Sequence, residues 1–276
     1  MSIRSCSFLG LSSFDDALVP DDDVVTIDLS GLEFIDAFGL VGLAAHALEA
    51  TLEDREIRLR MPRDGNAAKY LARMHVGDLL DGCGVELDRS LPTIRERDRR
   101  DRLIELQSFL DSRGGEQLAN YLWGRLEGEV DPQLVTQIYE AAGELGNNVI
   151  EHAKSPAGGY MAAQCYRRGK PDEHLVVAVG DVGIGIQASL TRRYGPMSEA
   201  DAIEKALKPF VSGTDDPGRG QGLPGIVEGV TGFGGVVHVR SGAAARRLTR
   251  TSASTHEVSH LRGTIVGAKV PCRPGR

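Results

Sequence analysis

The chain has 276 residues, 41% hydrophobic and 26% charged, which is typical of a soluble globular protein with one large or two ordinary domains. A net charge of −7 and an aromatic content of only 5% argue against nucleic-acid binding, which needs a basic surface or stacking platforms. Four scattered cysteines, a start unlike a signal peptide and the lack of a ~20-residue apolar run predict a reduced, cytoplasmic protein without a membrane span.

The first 90 residues predict a β-α-β-α unit. A β-branched run over residues 24–29 predicts a strand, and Asp36 stands where the N-cap of a helix over residues 37–50 belongs. Residues 56–62 alternate as a half-buried strand, and helical periodicity returns over residues 66–80. Strands that each precede a helix favour a parallel sheet covered by helices.

A polar stretch over residues 91–102 predicts a linker between an N-terminal domain, residues 1–90, and a C-terminal domain, residues 103–276. The arginines of this stretch alternate with acidic residues. Such mixed charge indicates a solvated connector rather than a surface for nucleic acid.

The C-terminal domain is predicted to contain both strands and helices. Asp131-Pro132 is a typical helix start, and we expect this long helix to run to about His152. Residues 187–217 contain several Gly, Pro and Asp residues, which favour turns, and are expected to form an irregular lid. The other predicted elements are strands over residues 103–110, 159–167, 174–181, 235–240 and 263–270, and helices over 116–126 and from about 220.

Three polar residues stand four apart in the long predicted helix: Glu144, Asn148 and His152. Successive side chains at this spacing drift by only ~40° around a helix, so the three share one face. Apolar residues such as Ile138 and Leu145 can bury on the other side. Taken alone, this pattern is more typical of a solvated helix face than of a site.

Two glycine-rich motifs follow. A buried-strand pattern ends in Asp181, and the glycines of the next turn allow close backbone approach to a ligand. The second motif opens a predicted helix, where free N–H groups and the helix dipole attract phosphate. No Gly-x-x-x-x-Gly-Lys-Ser/Thr occurs, which excludes a P-loop. The candidate binding residues of the two motifs are Gly183, Gly185, Ile186, Gly218, Arg219, Gly220, Gln221, Gly222 and Leu223.

The order and spacing of these motifs, with Gly263-Thr264 before the last strand, resemble the GHKL (Bergerat-fold) superfamily of gyrases, Hsp90, histidine kinases, MutL and anti-sigma-factor kinases. The resemblance implies an α/β sandwich with a mixed sheet and helices on one face, which binds ATP and Mg²⁺. By this resemblance Asp181 would bind the adenine amino group, and Thr264 would lie near the adenine. Asn148 would bind Mg²⁺ and Glu144 would act as the general base.

The segment from Asp28 to Leu40, Asp-Leu-Ser-Gly-Leu-Glu-Phe-Ile-Asp-Ala-Phe-Gly-Leu, resembles STAS domains of anti-sigma-factor antagonists. In that family a serine usually follows the second aspartate and is phosphorylated. Here Ala37 stands at that position, so the resemblance implies the scaffold without the switch. The alternative is a generic α/β unit unrelated to STAS domains.

Several activities stay open within the GHKL family. His46 and His75 lack the sequence context of a phosphoacceptor, so a self-phosphorylating histidine kinase is not expected. The retained Glu144 favours a serine-kinase-like phosphotransferase or a slow ATPase in bacterial signalling, acting on or with a protein partner. The alternative is a nucleotide-gated module that sequesters a partner without significant turnover. Family members often dimerise, so a homodimer is also open, although no dedicated dimerisation helix is evident.

One further motif, His256-Glu257-Val-Ser-His260, matches the zinc-peptidase pattern His-Glu-x-x-His. A peptidase needs both histidines on a helix and a third ligand beyond them. The Thr/Ser-rich flank favours a loop, and no Asp, Glu or His follows His260. A polar hairpin connection is therefore the better interpretation.

Overall fold

The computed structural model describes residues 1–20, 24–85, 87–94, 103–128, 130–167, 169–213 and 222–272, and within them it is a mixed α/β structure with several sheets. The N-terminal half comprises β1 Ser2–Ile3, β2 Phe8–Leu9, α1 Phe14–Ala17, β3 Leu18–Val19, β4 Val25–Asp28, β5 Phe34–Ile35, α2 Ala37–Leu52, β6 Ile57–Arg60, α3 Gly65–Arg73 and α4 Val76–Gly82. The C-terminal half comprises β7 Leu103–Phe109, α5 Ser112–Leu126, α6 Pro132–Asn148, a π-helical turn Val149–Ala153, β8 Gly159–Tyr166, β9 His174–Asp181, α7 Gly185–Tyr194, α8 Glu199–Ala206, α9 Gly222–Gly232, β10 Val236–Leu248 and β11 Ala253–Pro271.

A four-stranded sheet in the order β3-β1-β4-β6 organises the N-terminal half. β4 runs parallel to both β1 and β6, as the β-α-β pattern predicts, whereas β3 is antiparallel to β1. The carboxylate of Asp36 accepts hydrogen bonds from the N–H groups of Gly39 and Leu11, each at 3.0 Å. Asp36 therefore caps α2 as predicted and also ties the start of α2 to the preceding loop.

The single helix predicted over residues 66–80 is wrong, because the chain breaks between α3 and α4. His75 lies at the break in the left-handed region, with φ of 56°. Met74 and Val76, on either side of it, are both fully buried. Two positions apart on a continuous helix, these side chains would point in nearly opposite directions. The break lets both reach the core.

The C-terminal half is built on a five-stranded sheet in the order β10-β11-β9-β8-β7. All four strand pairings described for it are antiparallel, so the expected mixed sheet is wrong here. The short β8–β9 and β10–β11 connections reverse the chain and account for two of these antiparallel pairings. The predicted strand at residues 174–181 is confirmed, and that at 159–167 is confirmed to within one residue.

The helices of the C-terminal half that join its core pack on one face of the five-stranded sheet, as expected, and α2 of the N-terminal half covers the other face. Residues of α5, α6 and α9 form a core with alternate strand residues such as Val177 and Val179. The intervening residues Val176 and Ala178 belong instead to the core of the N-terminal half, which includes α2. The two halves of the chain therefore share a continuous apolar core on the second face.

Two strand glycines allow α2 to approach the second face closely. A Cβ atom added at Gly180 would lie 2.7 Å from Cγ1 of Val41. A Cβ atom added at Gly267 would lie 2.3 Å from Cδ2 of Phe38. Both distances are far below a van der Waals contact, so any larger residue would displace the helix.

A buried ion pair joins the two halves beside this core. Asp15 on α1 accepts hydrogen bonds from Nε2 of His238 at 2.9 Å and from Nε of Arg240 at 2.6 Å. Arg240 is only 1% exposed and also donates to the carbonyl oxygens of Gly242, at 3.0 Å, and Ser259. Burial opposes ionisation of Asp15, yet the hydrogen bond from His238 and the charge of Arg240 hold its pKa below the ordinary value.

The irregular lid predicted over residues 187–217 is wrong for most of its length, because α7 and α8 occupy it. Gly195-Pro196 separates the two short helices. The Ser198 hydroxyl accepts a hydrogen bond from the N–H of Asp201 at 3.1 Å and caps α8. Leu190 on α7 and Ile203 on α8 are buried, so each helix has a contact with the core. The Gly, Pro and Asp residues of this segment gave no sign of that contact. None of the helices in the described part of the chain is long and apolar enough to cross a membrane.

The His256–His260 motif lies within β11, so the predicted loop is wrong at this place. The strands β10 and β11 extend well beyond the predicted ranges and form one long hairpin. The register of β11 with β10 shifts between Glu257 and Leu261, so the regular spacing of the strand is interrupted inside the motif. Among the described residues, no group of three or more His, Cys, Asp or Glu could hold a metal ion. The strand also lacks the helical spacing that a zinc peptidase requires.

Candidate functional site

The helix α6 presents the polar face predicted from the sequence. Its N-cap is Asp131, whose carboxylate accepts from the N–H of Gln133 at 2.9 Å. Glu144 is exposed and Asn148 is half-buried, opposite the buried Ile138. After Asn148 the helix continues as the π-helical turn rather than as the expected α-helix, so the four-residue spacing does not apply to His152. Such π-turns often occur at functional sites because they redirect the side chains around them.

A single large cleft of about 1730 Å³ lies over this face of α6. Its walls come from α6, the π-turn, the end of β9, the interior of β11, α7, residues 206–213 and α9. The predicted site residues that line it are Glu144, Asn148, Asp181, Gly185, Ile186, Gly222, Leu223 and Thr264. Gly183 is not among the lining residues, and Gly218, Arg219, Gly220 and Gln221 lie outside the described residues.

Asp181 is the most deeply buried carboxylate of the cleft, with 3% of its surface exposed. It ends β9 and pairs with Thr264 of β11 on one side and Gly159 of β8 on the other. Burial raises its pKa to about 7, although hydrogen bonds from the backbone of Gly183 and Thr264 oppose the rise. The Gly183 N–H lies 2.7 Å from Oδ1. Asp181 is thus a rigidly held carboxyl group that titrates near neutral pH.

Gly183 holds the loop after β9 against the π-turn instead of facing the cleft. A Cβ atom there would lie 1.9 Å from the carbonyl oxygen of Ala153. The next residue, Ile184, donates its N–H to that same oxygen at 2.7 Å. Gly185 adopts φ of +75°, which favours glycine, and starts α7 at the edge of the cleft. Gly183 is therefore needed for close packing of the loop, and Gly185 for its left-handed backbone conformation.

Glu144 lies against the first residue of α9. A Cβ atom at Gly222 would be 2.6 Å from Oε2 of Glu144, so only glycine leaves this carboxylate its position. The positive end of a helix dipole stabilises a nearby carboxylate. Glu144 is also exposed, so a water molecule or a hydroxyl group in the cleft can reach it. This arrangement suits a general base at the end of the cleft where α9 begins.

Acidic residues predominate over basic ones on the described walls. Glu140, Glu151 and Glu228 line the cleft together with Glu144, whereas Arg250 is the only Lys or Arg among the lining residues that the structure describes. An anionic ligand would therefore need a cation bound with it, or cationic side chains from elsewhere in the chain.

The residues of the cleft fit a magnesium ion bound together with phosphates. Mg²⁺ usually takes one or two protein oxygens and fills its other positions with water and phosphate oxygens. Asn148 offers one such side-chain oxygen, half-buried in the cleft. A cage made only of protein carboxylates does not fit, since the described residues hold no such cluster.

Ser241 is a buried residue of this region that the sequence did not single out. Its hydroxyl contacts Ile186 and Thr264, two of the predicted site residues. Serine within a strand carries no chemical signature in the sequence. The following Gly242 marks a β-bulge, which was the only local signal available.

In comparisons with known proteins, the chain matches no protein-family model and no curated protein sequence. Its function must therefore be inferred from the chemistry and geometry of the cleft itself.

Proposed function

We propose that this chain is an ATP- and Mg²⁺-binding regulatory protein of the GHKL type that transfers or hydrolyses the terminal phosphate in bacterial cytoplasmic signalling. Residues 103–276 would form the Bergerat ATP domain and residues 1–90 a STAS-like domain, joined by the linker 91–102. The observation that carries the proposal is that Glu144, Asn148, Asp181 and Thr264, distant in sequence, line one cleft.

Asp181 supports recognition of adenine. Its ionised carboxylate can only accept hydrogen bonds, and the adenine 6-amino group is a donor. Because Asp181 is almost completely buried, an unmatched base edge would add no donor to the backbone hydrogen bonds from Gly183 and Thr264, in a site with little water. A buried acceptor that faces another acceptor is costly, so the position discriminates between bases.

The other end of the cleft supports phosphate chemistry. The part of α9 that the structure describes begins at Gly222, and the N-terminal end of a helix attracts an anion. Asn148 would contribute its side-chain oxygen to Mg²⁺, which when bound neutralises charge on the phosphates. Glu144 would orient a water molecule or a substrate hydroxyl and accept its proton. These roles need positioning and charge neutralisation, and no covalent intermediate on the protein.

Calorimetric titration with ATP and Mg²⁺ tests the proposal directly. We expect the wild-type protein to bind and Asp181→Asn to bind at least about tenfold more weakly, since the amide presents a donor to the amino group. Asp172→Asn is a matched control, because Asp172 is an exposed aspartate next to the opposite end of β9. Equal affinity of wild type and Asp181→Asn would contradict the proposal.

A second candidate is a nucleotide-gated binding module with little turnover. One observation favours it: Val41 of α2 packs directly beneath Gly180, the neighbour of Asp181. A movement of β9 on nucleotide binding would therefore reach the N-terminal half through direct contact. Release of labelled phosphate from ATP separates the two candidates. Release that disappears in Glu144→Gln indicates catalysis, whereas tight binding without release or labelled protein indicates gating.

A further inference from the structure

Ser241 lies at the point where three segments of the cleft meet. It is 4% exposed, sits on β10 opposite Thr264 of β11, and precedes the bulge at Gly242. Its Oγ lies 3.0 Å from the position that a Cβ atom would take at Gly185. The start of α7 therefore packs directly against this hydroxyl.

The Ser241 hydroxyl has three hydrogen-bond partners. It donates to the carbonyl oxygen of Gly263 at 3.0 Å and accepts from the N–H of Ile186 at 2.9 Å. The third partner is Oγ1 of Thr264, at 3.1 Å. A serine hydroxyl has one hydrogen and two lone pairs, so these three partners use it completely.

This count fixes the direction of the third bond. The carbonyl oxygen of Gly263 cannot donate, so the single hydrogen of Ser241 goes to it. In the bond between the two hydroxyls, Thr264 must then be the donor and Ser241 the acceptor. The hydrogen of Thr264 is thereby held away from the ligand, and the hydroxyl presents only its acceptor lone pairs to the cleft.

The neighbouring group on the wall, the carboxylate of Asp181, is also an acceptor in its ionised form. Thr264 pairs in register with Asp181, and both residues line the cleft. A purine with a 6-amino group offers hydrogen to such a wall, whereas a 6-keto group would bring a third acceptor to it. Opposed acceptors without a shared hydrogen are unfavourable in a site that excludes water.

We propose that Ser241 is a positioning residue which holds the Thr264 hydroxyl hydrogen and the Ile186 N–H, and so makes the base end of the cleft select 6-amino over 6-keto purine nucleotides. The proposal rests on the proposed function, because it assigns a base preference to the same site. Ser241 acts through Thr264 and α7 and need not touch the nucleotide.

The test compares the affinities of ATP and inosine triphosphate for four proteins: wild type, Ser241→Ala, Thr264→Val and the double variant. We expect wild type to prefer ATP by at least about tenfold, in line with discrimination by a buried polar site. In Ser241→Ala the Thr264 hydroxyl is free to donate to the keto oxygen, so the preference should fall to about threefold or less. Because both residues act through one bond, the double variant should lose no more preference than either single variant.

Ser259→Ala is the matched control, since Ser259 belongs to the same hairpin and donates to Leu18 at 3.3 Å, outside the cleft. It should keep the wild-type preference. An equal loss of affinity for both nucleotides in Ser241→Ala, or unchanged affinity for both, would overturn the proposal. If Ser241→Ala does not fold, Thr264→Val alone must still lose the preference. Failure of wild type to bind either nucleotide would instead refute the proposed function, and this inference with it.

Discussion

The two faces of the five-stranded sheet serve opposite purposes. One face opens into the cleft and carries two polar residues that pair with each other, Asp181 at the end of β9 and Thr264 within β11. The other is closed by α2, with residues such as Phe38 and Val41 packed where two glycines leave room. Adjacent residues of β9 divide between the faces, since Gly180 touches α2 and Asp181 faces the cleft. The strand β9 thus connects the packed helix α2 to the ionisable Asp181. Substitutions on the α2 face should mainly change stability, and substitutions on the cleft face should mainly change binding.

The largest effect should come from breaking the ion pair beside the closed face. Asp15→Ala leaves Arg240 buried without its carboxylate, which we expect to lower the free energy of unfolding by about 3–5 kcal/mol. Denaturant titration measures this loss. The neighbouring Asp16→Ala is the control, because Asp16 is exposed and should change stability by no more than about 0.5 kcal/mol. Similar stabilities for the two variants would show that the pair does not hold the halves together.

On the open face, Asp181 should give the protein a distinctive pH dependence. Its pKa is about 7 in the folded protein and 3.8 in its ordinary state, so the folded protein binds the proton more tightly. The stabilisation from this group is therefore complete below about pH 4 and is lost as the pH rises through 7. A tenfold change in proton affinity is worth about 1.4 kcal/mol, so the loss approaches roughly 4 kcal/mol.

Asp181→Asn tests this dependence because the amide does not ionise. The variant should gain stability relative to wild type between pH 4 and pH 8, measured by unfolding at each pH, even though it binds ATP poorly. A constant stability difference across this range would contradict the assignment. The opposite directions of the stability and binding effects distinguish a costly functional carboxylate from a structural one.

Two glycine-to-alanine variants should have smaller effects on stability, in opposite directions. Gly267→Ala places a methyl group against Phe38 and should cost about 1–3 kcal/mol. Gly143→Ala, on α6, meets no atom within 4 Å and should stabilise the protein by up to about 1 kcal/mol. Thermal unfolding of the two variants provides the comparison. Destabilisation by Gly143→Ala would contradict the open space around this position.

The smallest effect is expected at Ala37, where the STAS resemblance places a phosphorylated serine. Ala37 is fully buried at the start of α2. Ala37→Ser should therefore take up no phosphate when the protein is incubated with ATP and Mg²⁺, as measured by mass spectrometry, and should change stability by no more than about 1 kcal/mol. Phosphate at residue 37 would show that the closed face opens in solution.

Local patterns predicted the local structure well. The cap at Asp36, the start of α6 and the strand of Asp181 follow from residues near one another in sequence, and the structure confirms each. The positions of Glu144, Asn148 and Thr264 around one cleft agree with the grouping expected from the sequence. Whether this cleft binds ATP stays a prediction.

The missed features depend on contacts between distant residues. The break at His75 allows the residues on either side of it to be buried. The helices α7 and α8 form because burial of their apolar sides outweighs the turn tendency of the glycine and proline residues. The role of Ser241 depends on the register of β10 with β11 and on the loop after β9. The docking of α2 on the sheet had no sequence signal beyond an apolar helix and two strand glycines, which many folds share.

The almost complete burial of α2 has a consequence for the order of synthesis. Thirteen of its sixteen residues are buried, many of them against strands that lie much later in the chain. While the ribosome makes the first half, this apolar helix has no strand β9 or β11 to cover it. Such a nascent chain exposes a surface prone to aggregation until the last strands emerge. Expression of residues 1–94 alone should therefore yield insoluble protein.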